Sequence, residues 1–252
     1  MNASSLAGDL LDLLLPRACL GCGDRLSPEE PEGLVCVRCR TMLRPPPPPR
    51  CPRCAVPLGT RQPVGATCLE CAPWPDVLVS ARAAVVMEPP ANALVHALKY
   101  GGWRSLGDVM GCRMASVCPP SEPDSVVVPI PTTSSRRRTR GYNQARVLAD
   151  VVARELGLAV EELLERPKGG TQVRSGPRER RSNVQGSFRV VPSSRSRFLG
   201  LRVILVDDVL TTGATDLSAA ASLGEKGVES VHLLTFARAL PFGGEKRRLP
   251  LG

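Results

Sequence analysis

The stretch Val203-Ile204-Leu205-Val206-Asp207-Asp208-Val209-Leu210-Thr211-Thr212-Gly213-Ala214-Thr215 decides how the chain is read. Four consecutive aliphatic residues suit a strand buried on both faces, as in the middle of a parallel sheet. Two carboxylates follow at its carboxyl end, where open α/β sheets bind ligands. Thr211 to Thr215 is a small, hydroxyl-rich turn that opens onto a helix marked by Leu217, Ala220, Ala221 and Leu223. Free N–H groups of such a turn, with the positive end of the helix dipole, make a ready phosphate site. Carboxylates beside it match a sugar phosphate, the acids accepting from hydroxyls while the turn, from Val209 and Leu210 onward, grips the phosphate. A P-loop would need Gly-x4-Gly-Lys-Ser/Thr, which is absent here, as is a Rossmann fingerprint. The acidic Mg2+ pocket of a receiver domain lies on that domain's first strand, and too little chain follows Asp208 for that.

Outward from this centre, Val228 to Phe236 reads as a further strand, so strand, helix and strand form a parallel βαβ unit. Upstream, Ala83 to Met87 is a short strand ended by Pro89-Pro90, which can open a helix carrying Leu94 and Leu98. Leu106, Met110, Arg113 and Val117 mark a second helix. Val126 to Val128 is a strand running into the constrained turn Pro129-Ile130-Pro131. Thr132 to Gly141, with Arg136, Arg137, Arg138 and Arg140, reads as a loop; Asn143 is a fitting N-cap for the next helix, and Gly157 a stop. Residues 166–186 are polar, basic and turn-rich, as in a long functional loop.

Eight cysteines form four Cys-x2-Cys knuckles: Cys19/Cys22, Cys36/Cys39, Cys51/Cys54 and Cys68/Cys71. Each cysteine of the first pair of knuckles recurs 32 positions later, so one unit is written twice in tandem. Two knuckles supply a tetrahedral set of four sulfurs that suits Zn2+ and leaves no position for water. The spacing predicts two structural zinc ions, one on Cys19, Cys22, Cys36 and Cys39, the other on Cys51, Cys54, Cys68 and Cys71. Pro45 to Pro49 sits between the units as a stiff, extended spacer. Cys112, Cys118, His96 and His232 lack partner patterns and read as structural.

Composition bounds the rest. The 252 residues are 42% hydrophobic and 23% charged, as in a folded soluble protein, and 3% aromatic, so the cores rest on Ala, Val and Leu. The formal charge of +9 falls to about +5 once eight thiolates hold two zinc ions. That suits phosphate-bearing ligands or nucleic acid without selecting either. Leu6 to Leu15 carries Asp9 and Asp12 and reads as a short amphipathic helix, not a signal peptide. Nothing approaches the roughly 20-residue apolar run of a membrane span. No membrane insertion and a reducing, cytoplasmic location are the expectation, and there paired cysteines mean metal.

With these residues in view, the chain resembles the ComF family, and Val203 to Thr215 resembles the phosphoribosyl-pyrophosphate (PRPP) motif of type I phosphoribosyltransferases. The double ribbon, Ala97-Leu98-Lys99-Tyr100, Val128-Pro129-Ile130-Pro131, Arg140-Gly141-Tyr142-Asn143-Gln144, Gln172 and Arg181-Ser182-Asn183-Val184 complete the likeness over residues 6–238. The resemblance implies an α/β fold of the type I phosphoribosyltransferase kind, over residues 76–240. A helix and double zinc ribbon precede it (1–75), and a flexible tail follows (241–252). It also implies that Asp207 and Asp208 bind ribose hydroxyls, directly or through Mg2+, and that Thr211, Thr212, Gly213, Ala214 and Thr215 hold the 5′-phosphate. Pro129, Ile130 and Pro131 lie where such enzymes carry the pyrophosphate loop, with Lys99 and Arg140 as further substrate contacts. A transferase acting on an unspecified acceptor is implied, with a role in DNA uptake during competence. The other reading is a PRPP- or nucleotide-sensing module whose ribbons meet nucleic acid or a protein of the competence machinery. The ribbons offer arginines such as Arg17, Arg25, Arg38 and Arg53 but almost no aromatics, which gives little support to single-strand recognition by the ribbons alone.

Overall fold

Residues 17–27, 33–58, 68–122, 124–166, 188–191 and 198–240 are described by the computed structural model. Along them run α1 (Val37–Met42), β1 (Leu78–Val86), α2 (Ala91–Tyr100), α3 (Leu106–Ala115), β2 (Val126–Pro129), α4 (Ser134–Arg140) and α5 (Gln144–Leu156). Then come β3 (Ala159–Val160), β4 (Leu164–Glu165), β5 (Arg189–Val190), β6 (Arg202–Leu210), α6 (Ala214–Gly224) and β7 (Ser230–Arg238). Five strands form one parallel sheet in the order β1-β7-β6-β2-β3, and β4 pairs with β5 as a small antiparallel ribbon. The short helix expected at Leu6–Leu15, most of the loop 166–186 and the tail 241–252 lie outside the described residues.

β6 is central, bonded to β2 on one edge and β7 on the other, which is why its sequence is apolar without alternation. It is longer than its apolar run, because Val209 and Leu210 go on pairing with Ala237 and Arg238. The acidic pair therefore stands inside the end of the strand rather than after it. β1 starts at Leu78, five residues before the expected Ala83. Ser80 and Arg82 interrupt the sequence pattern but find partners: the Ser80 hydroxyl meets His232 Nδ1 at 2.8 Å, and Arg82 donates to the carbonyls of Ala81 (2.8 Å) and Pro52 (2.9 Å).

The expected loop at Thr132–Gly141 contains α4, seven residues capped by Thr133, whose hydroxyl accepts from the Arg136 N–H. None of its side chains is buried, so no apolar periodicity announced it. Asn143 caps α5 as expected, its side chain accepting from the Ala145 N–H at 3.2 Å. α3 lies hard against α5 at Gly111, where a Cβ would stand 2.6 Å from Val151. Only a residue without a side chain lets the two helices come that close.

Alternate residues of β6 face opposite sides of the sheet. Ile204 and Val206 join Leu94, Met110, Leu148 and Phe236 in one core, while Val203 and Leu205 join Ala219, Leu223 and Leu233 in the other. Each cysteine unit belongs to a different core: Cys19, Val35 and Cys39 to the first, Cys51, Cys54, Cys68 and Cys71 to the second. The chain joining them runs past β1, whose outer edge it covers. The Val86 N–H donates to the Arg44 carbonyl and the Ala81 N–H to the Arg53 carbonyl, both at 2.8 Å. The ribbons thus seal an edge strand that would otherwise offer unpaired backbone groups.

Candidate functional site

The cysteines assemble as their spacing predicts. Within each of the two sets, Cys19/Cys22/Cys36/Cys39 and Cys51/Cys54/Cys68/Cys71, all four sulfurs lie within 4.8 Å of one another. Sulfurs at about 2.3 Å from a tetrahedral zinc stand about 3.8 Å apart. Cys22 and Cys36 are 3.8 Å apart, Cys51 and Cys71 3.7 Å, Cys54 and Cys68 3.3 Å. Backbone N–H groups of Gly21 and Cys36 point at Cys19 Sγ, at 3.3 and 3.2 Å. Burial resists ionisation of Cys19, yet these donors bring its thiol down to about 7; Cys51 is brought to about 6 in the same way. Burial and neighbouring sulfurs push Cys71 up to about 12, and burial also raises Cys39 and Cys54. Four thiols that oppose one another's ionisation are a donor set that a dication relieves, so the residues fit zinc.

The second centre is the carboxyl end of β6. The turn after β2 is brought beside it: Pro129 is in register with Val206, and the Ile130 N–H donates to the Val206 carbonyl at 2.9 Å. Asp208 is buried, and its Oδ1 is 2.8 Å from Lys99 Nζ at the end of α2. Asp207 is half-buried and accepts from the Asp208 N–H at 2.8 Å. A third carboxylate, Asp216, stands buried in the first turn of α6. Burial raises Asp207 well above the ordinary carboxylate range, and the charges of Asp208 and Asp216 raise it further. Asp216 is lifted to about 7, mainly by burial, against the pull of its own N–H. Asp208 Oδ2 and Asp216 Oδ1 are buried without hydrogen-bond partners among the described residues.

Thr211, Thr212 and Ala214 are exposed, so the turn faces solvent and is not filled by side chains. Gly213 N-caps α6 with φ at 74°, a left-handed conformation that glycine adopts without cost. Among the described residues no side chain caps this helix, which leaves the amides of Ala214 and Thr215 for a ligand.

Beside the Pro129–Pro131 turn opens a cleft of about 890 Å³, lined by Pro131, Thr132, Arg104, Arg137, Arg146 and Arg166 among others. Arg146 is engaged by Asp150 (2.7 Å) and Glu162 (3.1 Å), whereas Arg104 and Arg137 have no acidic partner among the described residues. Arg166 donates through Nε to the Pro131 carbonyl at 2.8 Å, lies 4.5 Å over the Phe188 ring, and feels the charges of Asp207 and Asp216. Arg140 stacks on Tyr100 at 4.7 Å, one residue from Lys99. Tyr142 is buried, donates its hydroxyl to the Leu98 carbonyl and is covered by Arg104 at 5.3 Å, so it is not free to stack on a ligand.

The structure therefore gathers Asp207, Asp208, Lys99, the Pro129–Pro131 turn and the Thr211–Thr215 turn at one end of the sheet, with Arg140 alongside through Tyr100. Sequence reasoning missed Asp216, whereas Arg166 belongs to the 166–186 stretch expected to be a functional loop. Asp216 had a signal, an acid in the first turn of a helix whose N-terminus was already suspected. Arg166 had only its place at the start of a basic stretch.

Known proteins supply a comparison. The double zinc ribbon domain model matches residues 10–72, and the phosphoribosyl transferase domain model matches residues 142–249. The two cysteine sets are the zinc-binding sites of that ribbon domain. The chain is 30% identical over 201 residues to the DNA utilization protein YhgH of Salmonella typhi, covering 75% of this chain and 84% of that one. It is 29% identical over 224 residues to the competence protein ComFC of Bacillus subtilis, covering 83% and 86%. A hypoxanthine phosphoribosyltransferase structure from Staphylococcus aureus covers 60% of this chain and 83% of its own at 14% identity, with a TM-score of 0.32, too low to add weight.

Proposed function

We propose, from the premise that the chain belongs to the ComF family of double-zinc-ribbon proteins with a phosphoribosyltransferase domain, that the end of β6 binds PRPP with Mg2+. The observation that carries this reading is one corner of the sheet: an exposed, uncapped helix turn beside two carboxylates and the turn after β2. Amides of Thr211–Thr215 would hold the 5′-phosphate, and Asp207 and Asp208 the ribose hydroxyls. Arg137 and Arg166, next to the Pro131 turn, would face the pyrophosphate. Mg2+, when bound, supplies Lewis acidity at the phosphate oxygens and offsets the carboxylate charge.

In the reaction this geometry serves, the bond from the anomeric carbon to pyrophosphate breaks and an acceptor lone pair takes its place. Positive charge builds on the sugar ring, where Asp207 and Asp208 are close, and negative charge on the leaving group, where the arginines are. No covalent nucleophile is required; holding the partners in line does the work. The acceptor is not specified by any residue of the corner.

The second reading, a PRPP sensor that meets DNA in the cytoplasm, draws on a different observation. Tyr100 is 65% exposed and Trp103 45%, an aromatic pair beside Arg104 and Arg140 that the ribbons lack. Among the described residues no helix is long and apolar enough to cross a membrane. Calorimetric titration with PRPP and Mg2+ tests both readings: binding by the native chain and its loss in Asp207→Asn are expected. No binding at millimolar PRPP would remove them together. Pyrophosphate release in the presence of a panel of amines and bases then separates transferase from sensor.

A further inference from the structure

The second cysteine set differs from the first in being closed. Cys51, Cys54, Cys68 and Cys71 are all buried, whereas Cys22 of the first set is exposed. Four thiolates and a zinc ion leave two net negative charges, and in a closed site water cannot share them. A cation must come from the protein. Arg53, between Cys51 and Cys54, spends its guanidinium on carbonyls: Nη1 on Cys71 at 3.0 Å, Nη2 on Pro75 and Leu78, both at 3.0 Å.

Arg238 is the other cation, and nothing in the sheet accounts for it. It ends β7 and is 1% exposed, the largest fully buried side chain among the described residues. Its Nη1 donates to the Cys54 carbonyl and its Nη2 to the Glu70 carboxylate, which stands between Cys68 and Cys71. Arg238 Nε has no partner among the described residues. Glu70, however, is about a third exposed and shares its charge with water, so it only partly balances a guanidinium buried to 1% exposure. The Arg238 backbone points to a second consequence. Arg238 is in register with Leu210, and the Ala239 N–H donates to the Leu210 carbonyl at 2.9 Å, directly before Thr211.

We propose that Arg238 is the internal counter-cation of the Cys51/Cys54/Cys68/Cys71 metal centre and ties that centre to the Thr211–Thr215 turn. Arg238 is a positioning residue here, and the inference does not depend on what the turn binds. Outer partners of metal ligands are worth about 10- to 100-fold in metal affinity. Full-length Arg238→Met, loaded with Zn2+ and titrated with a chromogenic chelator, should release one of its two ions at about 10- to 100-fold lower chelator activity, the other being held as in the native chain. Arg238→Lys, which keeps the charge but not the fork, should fall between them, and it decides the matter if Arg238→Met does not fold. Amide hydrogen exchange at Val209, Leu210 and Ala239, the paired backbone directly before the turn, should quicken in either variant, more than at Val126–Val128 of β2. Equal retention of both ions, or equal loosening of both, overturns the counter-cation role. Unchanged exchange at Val209, Leu210 and Ala239 overturns the tie to the turn.

Discussion

Asp216→Asn is the substitution whose effect the site geometry fixes most closely. Burial holds the Asp216 carboxyl at about 7 against an ordinary 3.8. The folded chain therefore binds this proton more tightly than the unfolded chain does. Between pH 4 and 7 the folded state carries the extra proton, so stability falls as pH rises through that window and is lowest above it. At about 1.4 kcal/mol per pH unit, ionising Asp216 costs the folded state about 4 kcal/mol at pH 8. Asparagine keeps the shape and never ionises. The variant should be more stable than the native chain by about 2–4 kcal/mol at pH 8, the lower figure applying where Asp207 shares the proton. The gap opens as pH rises from 4 to 7, so at pH 5 it should narrow to about 1–2 kcal/mol. Urea unfolding followed by circular dichroism at pH 5, 6 and 8, with zinc present and Mg2+ absent, measures the gap. A gap that stays constant over this range would mean that Asp216 does not titrate there, and the charge balance drawn for the corner would be wrong.

Gly213→Ala forces a side chain into φ 74° at the helix N-cap and should cost about 1 kcal/mol of stability; PRPP titration should show a clear loss of affinity, since the turn must shift to relieve it. Gly111→Ala puts a Cβ at 2.6 Å from Val151, and thermal unfolding should show a loss of about 1–3 kcal/mol while PRPP binding stays as it was. Cys71→Ser strikes a fully buried ligand and should leave soluble protein scarce; Cys22→Ser, at an exposed ligand, should fold with one firmly held zinc by metal analysis.

Much of this was legible in the chain because the relevant signals are local. The aliphatic run of β6, the knuckle spacing and the Asn143 cap each state their structure within a few residues. The ribbons' placement is another matter. That the unit with Cys19 shares a core with Leu94 and Met110, and the unit with Cys51 a core with Leu205 and Ala219, is a property of tertiary packing. No spacing encodes it, and the likeness of the two tandem units argues against it. α4 was hidden because helix detection relies on an apolar stripe and Ser134–Arg140 has none, although Thr133 and Gly141 mark its ends. Arg238 was hidden for the opposite reason: a charged residue at the end of an apolar strand looks like the start of the surface, and only the fold shows it buried.

The charges of the corner also set the direction in which a ligand can lie. Asp208 pairs with Lys99, Asp207 and Asp216 feel the charge of Asp208, and Arg166 and Arg137 line the cleft beside the Pro131 turn. A phosphate pushed among the acids would add to the cost of ionising carboxylates that burial and one another's charge already raise. A hydroxyl donor or a cation is welcome there. On the reading proposed above, the amides at the start of α6 and the arginine cleft would serve as two separate places for anions. A ligand that suits the whole must carry anionic groups at both ends and hydroxyls between them. A pentose bearing a phosphate at C5 and a pyrophosphate at C1 has that order of groups, whereas a nucleoside monophosphate, with one anionic end, leaves Arg137 and Arg166 without a partner. On this argument PRPP should compete out ribose 5-phosphate at the same site, and removing Arg166 should narrow the gap between the two far more than removing Arg189, already paired with Glu165 at 3.2 Å. Competition titrations on Arg166→Gln and Arg189→Gln would contradict the orientation if both variants discriminated equally.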